Sequence, residues 1–310
     1  MKIKKASDYK LLSNSVVTIG TFDGVHVGHK KIIKRLVKIA KKENLQAIVL
    51  TFFPHPRMVV QKDTDIKMLN TIDEKNKLME AEGIDHLVVK KFTKQFSRLS
   101  AQDYVREVLV ETLHVKHIII GYDHHFGRNR TANINDLKAF GEIYNFKVTE
   151  ISAEEIDEVT VSSTKIRKAL LDGDVKTANT FLGYNFMLTG KVVKGKGLGK
   201  QLNYPTANIR IEEPYKLIPK NGVYVVKAII KDAIVFGMMN IGTNPTVDGK
   251  VQSIEVHFFN FNQDIYGKIL EVEILERLRD EQKFDSLEDL KNQLSKDFMN
   301  SNHFLNQNDA

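Results

Sequence analysis

The sequence predicts an α/β chain in two parts: a doubly wound parallel-sheet domain, then a small six-stranded antiparallel β-barrel with a C-terminal helix. Three observations carry this. Between Val16 and Ile151 five short apolar runs alternate with helical segments, and runs that are hydrophobic throughout mark strands covered on both faces of a parallel sheet. Beyond Tyr184 strand-like runs follow one another with turns in place of helices, as antiparallel barrels require. A length of 310 residues is more than one core comfortably organises.

The first run, Val16 to Ile19, leads into Gly20-Thr21-Phe22-Asp23-Gly24-Val25-His26-Val27-Gly28-His29, and an amphipathic helix begins near His29. A strand, a glycine-spaced turn and a helix start together make an anion site. The helix end offers unpaired N–H groups and partial positive charge, and Gly20, Gly24 and Gly28 let the backbone approach a ligand closely. His26 and His29 can both donate to one phosphate. A polar turn in which glycine serves only the backbone would look the same, and spacing alone does not separate the two. Along the helix, Ile33, Leu36, Val37 and Ala40 form the inward face. Lys30, Lys31, Lys34, Arg35, Lys38, Lys41 and Lys42 form a solvated outer one.

The remaining runs of this half are Gln46 to Phe52, His86 to Val89, His117 to Gly121 and Phe146 to Ile151. Thr71 with Glu74, and Ser100 with Asp103, are helix-start signals, and Gly83 stands where a C-terminal cap belongs. In doubly wound sheets ligands collect at the carboxyl ends of the strands, where the glycine-histidine turn falls. Three more segments should converge there. Thr51-Phe52-Phe53-Pro54-His55-Pro56-Arg57 has two prolines one residue apart, which predicts a rigid extended loop. Gly121 to Arg130 follows the fourth run; its adjacent His124 and His125 lack metal-ligand spacing. Val161-Ser162-Ser163-Thr164-Lys165-Ile166-Arg167 opens a helix. Its hydroxyls suit capping or phosphate binding, with Arg167 one turn on as an anion clamp.

A short helical connector spans Asp172 to Tyr184, with Gly183 as its stop. The barrel strands are then expected at Phe186 to Val193, Thr206 to Ile211, Val223 to Lys231, Ile234 to Ile241, Ser253 to Phe259 and Leu270 to Leu275. Asn221-Gly222 and Asp248-Gly249 are turn signals. Ser286 with Asp289 opens a closing helix toward Phe298, and Asn300 to Ala310 reads as a loose tail. The expected division is 1–183 and 184–310.

In the barrel half, Lys194-Gly195-Lys196-Gly197-Leu198-Gly199-Lys200 can wrap backbone donors and charge around phosphates, although a flexible hairpin has the same composition. Thr206 and Asn208 share one side of a strand starting at Pro205. They are neutral oxygen donors, suited to Mg²⁺ that is also held by substrate phosphates. Glu255 lies inside an apolar run and is either an outward-facing residue or a buried base; spacing does not choose.

Composition narrows the classes. The chain is 42% hydrophobic and 27% charged, in the range of globular domains. The absence of cysteine removes disulfides, thiolate nucleophiles and cysteine metal sites. Met1 to Lys10 has lysines without the apolar stretch of a signal peptide, and no run approaches membrane-spanning length. The expectation is a cytoplasmic protein without a membrane partner. A net charge of +7 suits an anionic partner, either nucleic acid or a small phosphorylated ligand.

Taken together, these segments resemble the bacterial bifunctional riboflavin kinase and FAD synthetase (FMN adenylyltransferase). The resemblance covers nearly the whole chain, in order: Gly20 to His29, Pro54-His55-Pro56, Gly121 to Gly127, the Ser-Ser-Thr-x-Ile-Arg helix start, Pro205-Thr206-Ala207-Asn208, and Asn240 to Thr246. It implies a nucleotidylyltransferase domain that adenylylates FMN over 1–183 and a barrel that phosphorylates riboflavin over 184–310. It further implies ATP, riboflavin and FMN as substrates and Mg²⁺ with ATP. By resemblance, His26, His29, Arg167 and Glu255 are catalytic, and Thr206 and Asn208 hold the metal. ATP falls to Gly20, Phe22, Asp23, Gly28, Asp123, Ser162 and Thr164 in one domain and to Gly195, Gly197 and Lys200 in the other. Pro56 and Phe126 border the flavin. The chain departs from the family pattern at His124, where Phe is usual, and at Asn203-Tyr204, where Gly-Phe is usual. Asn tolerates a left-handed backbone, and Tyr adds one hydroxyl to Phe.

The His-x-x-His turn also marks other nucleotidylyltransferases and class I aminoacyl-tRNA synthetases, but the barrel half has no place in either. A basic nucleic-acid-binding barrel would interleave exposed aromatics with lysine or arginine. Here Phe236, Phe258 and Phe259 sit inside apolar runs. The expected partners are small molecules, with no nucleic acid, and the chain a monomer or weak oligomer.

Overall fold

Val16 and Val17 are fully buried and Ile19 nearly so, and this run forms the centre of a parallel sheet. A computed structural model describes residues 4–5, 13–61, 66–122, 124–152, 161–195, 199, 202–246 and 249–308. Asp123, Gly197 and Lys200, expected in the sites, therefore lie outside the described residues. The chain divides into two compact units, 1–163 and 164–310.

In the first unit β1 (Lys4–Lys5), β2 (Ser15–Ile19), β3 (Gln46–Phe53), β4 (His86–Lys91), β5 (Val115–Gly121) and β6 (Lys147–Ile151) form one sheet in the order β1-β4-β3-β2-β5-β6. Every pairing is parallel. One core lies on each face, one around Ile33, Leu36 and Met79, the other around Val105, Leu109 and Leu137. The order reverses at β2, between β3 and β5, so the glycine-histidine turn leaves the sheet at its topological switch point. The two-residue edge strand β1 carries too little pattern to be read from sequence.

Helix α1 (Val27–Glu43) buries Gly28, Ile33, Leu36 and Ala40 and leaves Lys34, Lys38, Lys41 and Lys42 exposed. It starts at Val27, two residues before the expected His29, because His26 serves as its N-cap. The prolines differ from expectation too. Phe53–Pro54 is a cis peptide, and Pro56 opens a short helix, α2 (Pro56–Val60), instead of extending a loop. The fixed φ of proline suits the first helical position, and the His55 side chain caps the helix by accepting from Arg57 N at 3.2 Å. Helix α3 (Ile72–Ala81) carries the full capping box of Thr71 and Glu74, with Gly83 beyond its end at φ 87°. Ser100 caps α4 (Ala101–Asp103), which continues as a π-helix over Tyr104–Thr112. Helix α5 (Ile134–Tyr144) precedes β6.

Helix α6 (Ser163–Asp172) starts at the last residue of the first unit, and with α7 (Val175–Leu182) it leads to the barrel, Gly183 closing α7 in a left-handed conformation at φ 69°. The barrel strands are β7 (Met187–Val193), β8 (Ala207–Arg210), β9 (Gly222–Ile230), β10 (Ala233–Thr246), β11 (Gly249–Phe258) and β12 (Ile269–Arg279). They close in the order β10-β11-β8-β7-β12-β9, all antiparallel. Lys231 and Asp232, at φ 50° and 64°, make the two-residue turn between β9 and β10.

Asn300 to Asn308 is not a loose tail. Helix α8 (Leu287–Asn308) runs through it, opened by Ser286, whose Oγ accepts from Asp289 N. Arg279 on β12 donates two bonds, 2.8 and 2.6 Å, to the buried carboxylate of Asp297, and Ser301 Oγ donates to the Asp297 carbonyl. Phe298 meets Phe259 edge-on at 4.9 Å. These contacts hold the last turns, which local composition alone would leave frayed.

Candidate active sites

At the switch point the motif's own rings fill the room its glycines provide. A Cβ at Gly20 would stand 3.0 Å from the Phe22 ring, and one at Gly28 would stand 3.3 Å from the His26 ring. The backbone between them is unusual: Phe22 has φ 44° and Val25 φ 38°. A β-branched residue there is an outlier, and such conformations persist only where surroundings hold them. Several groups do so. Thr51 Oγ1 and Lys75 Nζ donate to the Thr21 carbonyl at 3.2 and 2.7 Å. The buried Asp23 carboxylate accepts from Leu69 N at 2.9 Å and Asn70 N at 3.4 Å. Ser163 Oγ donates to the Asp23 carbonyl at 2.8 Å.

His26 and His29 come together as the sequence suggested. Their rings stack with centroids 3.6 Å apart, and Phe22 lies against His29 at 4.9 Å. His26 Nδ1 accepts from His29 N at 3.4 Å, so the proton of the neutral ring sits on Nε2. Burial lowers the His26 pKa to about 4 against the opposing pull of Asp23. Burial, then the neighbouring His26 and Lys75, hold His29 well below its ordinary value. The pair is therefore uncharged at neutral pH. It can donate N–H bonds to an anion without being locked to it as a salt bridge.

Along the carboxyl edge of the sheet runs a band of aromatic rings. Phe52, Phe92, Phe96, Tyr104 and Phe126 touch in succession at 5.5 to 6.0 Å between centroids. His124 stacks on Phe126 at 6.0 Å, so a flat ring occupies the position where the family pattern has Phe. Phe126 is 6% exposed, while Pro56 is half-buried. The Tyr104 hydroxyl is buried and has no hydrogen-bond partner among the described residues, and burial pushes its pKa up. Ser162 and Thr164 are exposed at the start of α6 and Arg167 is half-buried.

Sequence reasoning missed Lys75 and Tyr104, and it named Thr51 only as part of the converging Thr51 to Arg57 segment. Lys75 left a readable signal: it lies four residues before Met79 on α3, on the same buried face, a position where periodicity expects an apolar residue.

The barrel site gathers around Glu255. Its neighbours Ile254 and Val256 are buried in the barrel, so Glu255 points outward, where it is half-buried. It stands directly across from Asn208 on β8 and Asn240 on β10. Thr206 Oγ1 donates to Glu255 Oε2 at 3.3 Å. His257, two residues on, pairs through Nδ1 with the Pro205 carbonyl at 2.9 Å and pins the start of this segment. Gly195 and Gly199 approach the same residues. A Cβ at Gly195 would fall 2.1 Å from Asn208 Nδ2, and one at Gly199 would fall 2.3 Å from the Tyr204 carbonyl and 3.4 Å from the Thr206 side chain. Asn203 takes the left-handed conformation at φ 64°, and the extra hydroxyl of Tyr204 meets Ser295 Oγ on α8 at 3.1 Å. The hydroxyl of Thr206 and the amide oxygen of Asn208, beside the Glu255 carboxylate, are hard-oxygen donors of the kind that would suit Mg²⁺.

The family model described as FAD synthetase matches residues 8–165, and that described as riboflavin kinase matches residues 182–305. Proteins named bifunctional riboflavin kinase/FMN adenylyltransferase are similar over almost their whole length. The one from Buchnera aphidicola of Acyrthosiphon pisum is 39% identical, over 95% of this chain and 94% of its own. That from Listeria monocytogenes is 39% identical over 94% and 93%, and that from Escherichia coli K12 is 34% identical over 94% and 92%. A crystal structure from Streptococcus pneumoniae, named a macrolide-efflux protein, superposes with a TM-score of 0.86 at 34% identity over 97% of both chains. Among the described residues of this chain no helix is long and apolar enough to cross a membrane. With two family models in the same order and relatives alike from end to end, this chain belongs to the family of bifunctional riboflavin kinase/FMN adenylyltransferases.

Proposed function

We propose that the chain makes FAD from riboflavin in two ATP-dependent steps, phosphorylation to FMN in the barrel (184–310) and adenylylation of FMN in the N-terminal half (1–183). The observation that carries this reading is the contrast in equipment: a neutral histidine pair in one unit and a carboxylate beside a hydroxyl and an amide in the other. The two nucleophiles differ in the same sense.

In adenylylation an FMN phosphate oxygen attacks the α-phosphorus of ATP and pyrophosphate leaves. A phosphate monoester loses its second proton at about pH 6, so this nucleophile is already charged and needs no base. His26 and His29 donate to the phosphates as charge shifts toward the leaving pyrophosphate. By the resemblance, Ser162, Thr164 and Arg167 also grip the phosphates, Gly20, Phe22, Asp23, Gly28 and Asp123 border ATP, and Pro56 and Phe126 border the flavin. The aromatic band supports a flat heterocycle at that edge.

In the kinase step the nucleophile is a neutral ribityl hydroxyl. Glu255 takes its proton as the oxygen attacks the γ-phosphorus and ADP departs. Thr206 and Asn208 would hold the magnesium, which neutralises phosphate charge and orients the γ-phosphate. Gly195, Gly197 and Lys200 belong to the loop that covers those phosphates. The reading includes a cytoplasmic enzyme, monomeric or weakly self-associating, with small-molecule partners and no nucleic-acid partner. Incubating the purified chain with riboflavin, ATP and Mg²⁺ and separating the products by chromatography tests it: FMN and FAD are expected, and their joint absence overturns the proposal.

A further inference from the structure

Lys75 is 1% exposed, among the largest fully buried side chains of the molecule. A buried ammonium is unfavourable unless the fold uses it. Its Nζ donates to the Thr21 carbonyl at 2.7 Å; burial lowers its pKa, and the buried carboxylate of Asp23 opposes that shift. Both lie in the turn that carries Phe22 and Val25 at positive φ and delivers His26 to the start of α1. Thr51 shares the Thr21 carbonyl from β3, so the peptide entering the strained turn is held from two elements at once.

We propose that Lys75 is a positioning residue for FMN adenylylation: by gripping the Thr21 carbonyl from α3 it fixes the Phe22 turn against which His29 packs, and its ammonium, offset by Asp23, acts on the stacked histidines. This rests on the assignment of His26 and His29 to that reaction. Lys75 is too deeply covered to touch a phosphate, so its effect reaches substrate through the two rings. The groups whose charge bears on His29 are His26, at its own helix start, and Lys75, from α3. Asp23, in the turn, acts on His26 and Lys75. Removing the Lys75 charge takes away one of the causes that keep His29 unprotonated, so the His29 pKa moves upward.

The experiment uses the full chain with Lys75→Met, which keeps length and loses donor and charge, and Lys75→Arg, which keeps both. Steady-state adenylylation of supplied FMN, riboflavin phosphorylation and the NMR titration of His29 are measured on each. For Lys75→Met the expected kcat for adenylylation falls by about tenfold to a hundredfold, the scale of a small displacement of reacting groups, with KM within about threefold. Phosphorylation is unchanged, the His29 titration moves toward higher pH, and Lys75→Arg recovers most of the rate. Adenylylation within twofold of the parent, a loss confined to KM, or an unmoved His29 titration each overturns the proposal. Should Lys75→Met fail to fold its unit, Lys75→Gln, which removes the charge and ends one bond short of the Thr21 carbonyl, is read instead: a raised His29 titration with lowered kcat supports the inference, and parental values refute it. If His29→Ala itself leaves adenylylation intact, the histidine assignment fails; if His29→Ala stops the reaction and Lys75→Met does not slow it, only the Lys75 proposal fails.

Discussion

His26 and His29 stack 3.6 Å apart with their rings 18° from parallel, while His26 Nδ1 accepts the backbone N–H of His29. One side chain thus does two jobs: it caps α1 and it presents a ring with the proton confined to Nε2. The polar-turn reading and the anion-site reading of this motif are therefore not exclusive. The cap is what orients the donor.

The two jobs separate by substitution. His26→Ala removes the cap and is expected to destabilise the N-terminal unit by about 1 kcal/mol, whereas His26→Asn supplies a side-chain oxygen that accepts the same N–H and restores most of it. Adenylylation should fall by about a hundredfold or more in both, the scale of one lost transition-state donor. Denaturant unfolding and FAD formation check this. Recovery of activity along with stability in His26→Asn would show that capping is all His26 does.

The histidines also set an acid limit on stability. His26 titrates at 6.5 when unfolded and at about 4 when folded. Between those values the unfolded chain binds more protons. The contribution is fully present above pH 6.5 and is lost as pH falls toward 4, worth about 3 kcal/mol if the whole shift counts. His29, also depressed, acts in the same direction. The unfolding midpoint of the N-terminal unit should fall across this window in the parent and less so in His26→Asn, and parallel pH curves would refute the assignment. Because neither ring charges near neutrality, the acid limb of FAD formation near pH 6 should follow protonation of the FMN phosphate.

In the barrel, Gly195 approaches Asn208 too closely for any Cβ, which would stand 2.1 Å from Nδ2. Gly195→Ala must push the Asn208 amide away from Thr206 and Glu255. The expected result is at least about a tenfold loss of riboflavin phosphorylation with adenylylation of supplied FMN unchanged. Parental kinase activity would remove Asn208 from the site.

Much of this was legible from residues, and the exceptions share a cause. The central strands β2, β3 and β5 announce themselves because both faces are covered and their runs are mostly apolar, whereas β6, at the sheet edge, interleaves Lys147, Thr149 and Glu150 with its apolar residues. The turn after β2 is legible because its position at the end of the first central strand fixes which edge it serves. The apolar run of β10 ends at Ile241, because Gly242-Thr243-Asn244-Pro245-Thr246 lacks strand-forming apolar residues; the strand continues to Thr246 by pairing with β11. The last turns of α8 depend on Arg279 reaching Asp297 from eighteen positions earlier. Glu255 stayed ambiguous since alternation does place it outward, and half-burial beside Thr206 is a tertiary fact. Lys75 stood in the apolar stripe of α3, but its hydrogen-bond partner is 54 residues away.

The division of labour between the two units is tested most directly by comparing Glu255→Gln and His29→Ala, each given riboflavin, ATP and Mg²⁺ and, separately, FMN with the same nucleotide. The account predicts that Glu255→Gln phosphorylates riboflavin at least about a hundredfold more slowly, the scale of a positioned base, yet converts supplied FMN to FAD at the parental rate. His29→Ala should accumulate FMN and form no FAD. Equal damage to both activities in either folded variant would contradict it.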